Sequence, residues 1–145
     1  MKKGTIAAIS VSLKKGEKKT PVESVGLSVD HGIEGDAHAG NWHRQLSLLA
    51  DESIEKMRAK GLDVGYGAFA ENIATIGIVL YELPVGTKMR LGECLIEVTQ
   101  IGKECHSRCA IYEEAGDCVM PREGIFARVL EGGTIKKGDE IVVED

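Results

Sequence analysis

Apolar residues in this chain come in short alternating runs, and glycine interrupts them repeatedly, so the material for long helices is missing. Thr5 to Leu13 alternates around Ile9, Val11 and Leu13, the period-two pattern of a half-buried strand. A second apolar stretch runs from Pro21 to about Val29, "RQLSLL" and "GIFARVL" read as strands, and another is predicted from about Ile76 to Tyr81, before a Pro84–Gly86 turn. Two hairpins are predicted where glycine takes the first turn position, at Gly92–Glu93 and at Gly138–Asp139. Glycine there suits the two-residue turn whose twist matches paired strands. Eighteen glycines against three prolines fit a chain that turns often.

One helix is expected, with Asp51 as its cap, Ile54 and Met57 on one face at i,i+3 and Gly61 ending it. A short helical turn is predicted through Ala110–Ala115. "DHGIEGDAHAGNWH" has no periodicity and reads as loop. The expected fold class is mostly β: a β-barrel-like arrangement with one or two short helices, built as a single domain over residues 1–145.

Composition narrows the function classes. Hydrophobic residues make up 43% of the chain, enough for one core, and aromatics only 4%, so that core has to be aliphatic. A net charge of −5 argues against binding along nucleic acid. The charge is uneven: residues 1–20 hold six lysines against one glutamate, which leaves −10 for the remainder. No apolar run approaches the ~20 residues a membrane helix needs. The four cysteines cluster late instead of spreading as a staple framework, which suits a reducing cytoplasm.

"GKECHSRC", Gly102 to Cys109, concentrates the chemistry. Cys105, His106, Cys109 and Cys118 offer zinc ligands, though structural zinc sites favour two paired short cysteine gaps. Cys105 and Cys109 could form a redox pair, though the usual spacing is C-x-x-C. The third reading is one activated thiol: Lys103, His106 and Arg108 surround Cys105, and neighbouring cations favour thiolate over thiol. Cys94 falls in a strand and is expected in the core, while Cys118 has no assigned role.

Further polar sets stand out. His31, Asp36, His38 and His43 occupy the glycine-rich loop, either as metal ligands or as a carboxylate–histidine pair that orients a ligand, and Gly32, Gly35 and Gly40 let the backbone approach a ligand closely. "KKGEKKT" forms a basic tip, either a solvated turn or a phosphate contact. In "GAFAENI", Glu71 and Asn72 either read the edge of a heterocycle or satisfy loop backbone.

Taken in order, "GIEGDAHAG…HRQLSLL", "GAFAENI", "VGTKMRLGECLIEVTQIGKECH" and "EGIFARVLEGGTIKKGDEI" resemble the MOSC domain family, relatives of the C-terminal part of molybdenum cofactor sulfurases. The most specific elements are Gly35, Asp36 and His38, the Glu71–Asn72 pair, and a late cysteine after a strand. The resemblance implies a strand-rich barrel and a role in handling sulfur or the molybdenum cofactor, a molybdenum held by a phosphorylated pterin dithiolene (molybdopterin). The family's functional cysteine maps onto Cys105, as a persulfide carrier or as a molybdenum ligand.

On this reading Cys105 is catalytic, with His106, Lys103 and Arg108 keeping it ionised. Gly35, Asp36, His38, Arg44, Glu71 and Asn72 line the cofactor pocket. No pyridoxal phosphate site is expected within the chain, so a separate cysteine desulfurase has to load the sulfur, and the acceptor is a molybdoenzyme or the molybdenum cofactor. Cys109 could resolve a persulfide by bridging to Cys105. Two alternatives remain: a molybdenum cofactor carrier without chemistry of its own, and a zinc-bearing adaptor. No nucleic acid or membrane partner is expected.

Overall fold

The computed structural model describes residues 2–14, 19–37, 39–102 and 123–144. Its strands are β1 (Lys3–Val11), β2 (Thr20–Val22), β3 (Ser24–Ser28), β4 (Gly32–Ile33), β5 (Leu46–Ala50), β6 (Ile73–Ile76), β7 (Lys88–Leu91), β8 (Cys94–Ile101), β9 (Ile125–Glu131), β10 (Gly133–Lys136) and β11 (Glu140–Val143). Helix α1 covers Asp51–Arg58, and Leu80–Glu82 forms a 3-10 turn.

Seven strands close into a barrel in the order β11-β7-β8-β9-β5-β6-β1. The closing seam pairs Lys3, Gly4 and Thr5 with Val142, Ile141 and Glu140. Every pairing is antiparallel except β5 with β6. Strand β2 lies beside the far end of β1, and β10, β3 and β4 form a separate small sheet. The mostly β, barrel-like class expected from the sequence is what the chain adopts.

Alternation divides the strands between two cores. Leu46, Leu48 and Ala50 of β5 face a barrel interior shared with Ile73, Ile96, Val98, Ile125, Ala127 and Ile141. Leu49, Ala74, Ala8 and Phe126 face outward, under Ile54 and Met57 of α1. In β1 the spacing changes: a bulge between Ile6 and Ala8 lets both Ile6 and Ile9 point inward, three residues apart. Aliphatic residues dominate both layers, as the scarcity of aromatics requires.

Several local expectations are corrected. Strand β1 stops at Val11, and Leu13 is 89% exposed. The bulge has already shifted the alternation, and the next amide, that of Ser12, donates to the Asp36 carboxylate instead of extending a ladder. Ala50, not Asp51, is the helix N-cap, with no side-chain capping bond, because Asp51 accepts from Tyr66 Oη and Arg58 instead. The strand expected from Ile76 to Tyr81 is instead the stretch Ile73–Ile76 followed by the 3-10 turn, since Asn72 and Ser47 fix the start of β6 earlier.

The Gly92–Glu93 hairpin is present, joining Leu91 to Cys94. At Gly138–Asp139 there is a turn but no hairpin: β10 pairs with β3, whereas β11 pairs with β1 and β7. The glycine-rich loop contains β4, paired with β3. The turn predicted at Ala110–Ala115 lies outside the described residues. No helix among the described residues is long and apolar enough to cross a membrane.

The two leucine-sized positions at opposite extremes give a check. Met57→Ala opens a hole between α1 and the barrel wall and is expected to cost about 2–5 kcal/mol, against about 0.5 kcal/mol or less for Leu13→Ala. Urea unfolding midpoints of the two variants measure the difference.

Candidate functional site

The outer face of β8, β9, β5, β6 and β1 brings together residues far apart in sequence. Gln100 lies opposite Phe126, and Phe126 opposite Ser47. Asn72, just before β6, continues the row: its Oδ1 accepts from Ser47 N–H at 3.0 Å, and its Nδ2 donates to the Ser10 carbonyl at 3.2 Å. Its own amide donates to Ser47 Oγ at 3.0 Å, and Ser10 N–H donates back to the Asn72 carbonyl. Asn72 therefore stitches three strands together at the head of the one parallel pair.

Glu71 does comparable work one residue earlier. Its carboxylate accepts from Gly67 N–H at 2.6 Å and Phe69 N–H at 3.1 Å. Those bonds hold a tight loop in which Gly67 (φ +88°) and Ala70 (φ +61°) are left-handed. A side chain at Gly67 would collide with the Lys19 carbonyl. Burial pushes the Glu71 carboxyl above its ordinary range, opposed by the amide donors and by the Lys19 ammonium.

Lys19 and Asp36 form the second feature. Their side chains are 0% exposed, and Nζ reaches Asp36 Oδ1 at 2.8 Å. Lys19 also donates to Ser12 Oγ at 3.0 Å, and Ser12 N–H donates to the same Oδ1 at 3.0 Å. The last lysine of the basic tip is thus neither solvated nor a phosphate contact: it ties the end of the tip to the loop that carries Asp36. A lysine before "TPV" carries no sequence mark of burial, because its partner lies 17 residues on.

The third feature is built on Gln100. Its Oε1 accepts from Arg44 Nε at 3.2 Å and from His43 Nε2 at 3.0 Å, so that nitrogen carries the His43 proton. Its Nε2 donates to the Gly102 carbonyl at 2.8 Å. The Arg44 guanidinium lies over the Phe126 ring, 5.1 Å from its centroid. Of the described residues, Gln100 alone takes a hydrogen bond from Arg44, which leaves terminal N–H groups for an anion. Thr99, displaced where β8 bulges against β9, donates its hydroxyl to the His43 carbonyl and fixes this loop to the sheet.

Gly102 is also where the cysteine-bearing stretch departs. Its amide donates to the Gly124 carbonyl at 2.6 Å, so residues 102 and 124 are held together. Glu123, next to it, accepts from Ser53 Oγ at 2.6 Å and Lys56 Nζ at 2.9 Å on α1. Cys105, His106, Lys103, Arg108, Cys109 and Cys118 lie outside the described residues, as does His38.

Among the predicted pocket residues, Gly35 is exposed with φ +85° and open space around it. Asp36 is buried against Lys19, Glu71 and Asn72 are bonded to backbone, and Arg44 is linked to Gly102 through Gln100. Sequence reading missed Lys19, Ser12, Ser47 and Gln100. Cys94 is fully buried in β8, as expected, and burial pushes its thiol up to about 11. No group of three or more His, Cys, Asp or Glu among the described residues is arranged to hold a metal ion.

Comparison with known proteins places this geometry in context. The family model for the MOSC domain matches residues 35–142. The YUAD protein from Bacillus subtilis is similar in structure, with a TM-score of 0.79 at 17% identity, over 96% of this chain and 94% of that one. YiiM from Geobacillus stearothermophilus gives 0.72 at 21% identity, over 98% and 75%. YiiM from Escherichia coli gives 0.67 at 19% identity, over 97% and 70%. A search of curated protein sequences finds no significant match.

Two predictions follow from the buried groups. Lys19→Met removes the ammonium from the buried Asp36 carboxylate and is expected to cost about 3–5 kcal/mol, whereas changing both residues to apolar ones of similar size restores most of it; urea denaturation of the single and double variants reads the difference. Cys94, protonated below about 11, is expected to resist iodoacetamide in the native protein at pH 8 and to react fully after unfolding, as peptide mapping would show.

Proposed function

The chain belongs to the MOSC domain family, and from that premise we propose that it is a sulfur carrier for the molybdenum cofactor, with Cys105 as the sulfur-bearing residue. The observation that carries this reading is the link from Arg44 through Gln100 to Gly102. One amide side chain ties a half-buried cation to the backbone three residues before Cys105, so an anion held by Arg44 would be one glutamine side chain away from the point where the cysteine stretch begins.

The donor chemistry suits the cofactor. Its phosphate is anionic and planar guanidinium forks match phosphate oxygens. Phe126 beneath Arg44 and Gln100 at its Nε hold the fork in one orientation. Arg44 would hold the phosphate, and Cys105 would face the metal end. When bound, the cofactor supplies the molybdenum to which sulfur is delivered.

The chain's own part is loading and holding sulfur. The Cys105 thiolate attacks the outer sulfur of a desulfurase persulfide. The S–S bond of the donor breaks, the donor cysteine leaves as thiolate, and the outer sulfur stays on Cys105 as a new persulfide. Lys103, His106 and Arg108 favour the ionised thiol that begins this exchange. Asp36, locked by Lys19, fixes the loop bearing Gly35 and His38 against the end of β1.

Anaerobic incubation with a cysteine desulfurase and cysteine, followed by intact mass and peptide mapping, tests the reading. One added sulfur is expected on the Cys105 peptide and none on Cys105→Ser. No added sulfur on the wild type, under conditions that load a known acceptor, overturns sulfur carriage and leaves cofactor binding with Cys105 as metal ligand. Arg44→Gln is expected to leave loading unchanged while weakening retention of the cofactor about tenfold or more, the worth of a charge-assisted phosphate contact.

A further inference from the structure

A groove of about 390 Å³ is lined by His43 but not by Arg44. Its walls come from five places in the chain: Asp30 after β3, Asn41 to His43 before β5, Val85 and Gly86 before β7, Glu97 and Thr99 on β8, and Arg128 on β9. Buried Val98 and Gln45 form part of the lining. The volume lies in the range of small-molecule sites.

The charges lining it do not cancel. Arg128 donates from Nε at 2.8 Å and Nη2 at 2.7 Å to the same oxygen of Glu97, so those two neutralise each other. Asp30 has no ion pair or side-chain hydrogen bond among the described residues, and its carboxylate remains as net negative charge. Trp42, 36% exposed, presents an indole, the aromatic that attracts cations most strongly. Val85, 60% exposed, adds apolar surface. Thr99 and Asn41 supply hydrogen-bonding groups.

We propose that this groove binds a small organic cation, an alkylammonium or guanidinium attached to an apolar body, with Asp30 and Trp42 receiving the charge. The site is separate from the anion contact at Arg44, and its occupancy does not depend on sulfur carriage by Cys105. The two share one element, since His43 borders the groove and its imidazole rests on the same Gln100 oxygen as Arg44.

Trp42 is the chain's one tryptophan, so its emission reports on the groove without labelling. The experiment titrates phenethylammonium and L-argininamide, with 2-phenylethanol and 3-phenylpropionate as neutral and anionic counterparts. A saturable change in emission is expected with the cations, at least about tenfold tighter than with either counterpart.

Asp30→Asn, which keeps a residue tolerant of the left-handed backbone at this position (φ +55°), is expected to remove that preference. Arg128→Gln releases the Glu97 carboxylate and is expected to tighten cation binding, an effect that a purely structural Arg128 would not produce. Equal or tighter binding of 3-phenylpropionate, a non-saturating response to both cations, or an unchanged preference in Asp30→Asn overturns the proposal.

Discussion

A barrel with a single parallel seam has to solve a problem that its antiparallel neighbours do not. Strands β5 and β6 run the same way, so the chain must leave the end of β5, cross the outside of the barrel and re-enter at the head of β6. Helix α1 and the 59–72 segment make that crossing. The re-entry point is where the hydrogen bonding is densest: Asn72 bonds to Ser47 and Ser10, and Glu71 gathers the amides of the loop just before it. Those bonds add to the ladders with β1 and β5 in fixing the register of β6, which keeps Ala74 in the outer layer with Leu49 and Phe126 under α1.

Next to that seam the protein buries charge. Desolvating an ammonium and a carboxylate costs several kcal/mol per ion, and their attraction repays it only with good geometry. Lys19 and Asp36 have that geometry, with Ser12 supplying an additional bond to each. The arrangement fixes a glycine-rich loop by one point contact instead of by packing, which suits a segment with few apolar residues of its own. Position, more than net stability, is what such a pair provides.

How far the sequence disclosed this depends on the range of the interaction. Strand β5, the β7–β8 hairpin, strand β9 and the buried face of α1 follow from local alternation, and all were legible. The end of β1 was not, because a bulge changes the phase and the Ser12 amide bonds to a residue 24 positions away. The false hairpin at Gly138 has the right turn residue but strands that belong to different sheets.

At the site, Asp36, Arg44, Glu71 and Asn72 stood out through the family pattern, whereas Lys19, Gln100 and Ser47 did not, since a lysine, a glutamine and a serine in strand-like surroundings look ordinary until their partners are known. The pattern also named residues without telling what each one touches: Glu71 and Asn72 turn out to spend their polar groups on backbone.

The bond between Gly102 and Gly124 closes the open end of the β8–β9 ladder. Ile101 and Ile125 face each other next to it, so among the described residues the β8–β9 ladder keeps its register up to this point. Lengthening such an excursion is thermodynamically cheap, about 0.6 kcal/mol for each doubling of its length. By that measure the interval between residues 102 and 124, which carries three of the four cysteines, can change in length at small entropic cost to its closure. The barrel fixes where that interval begins and ends, whatever its length.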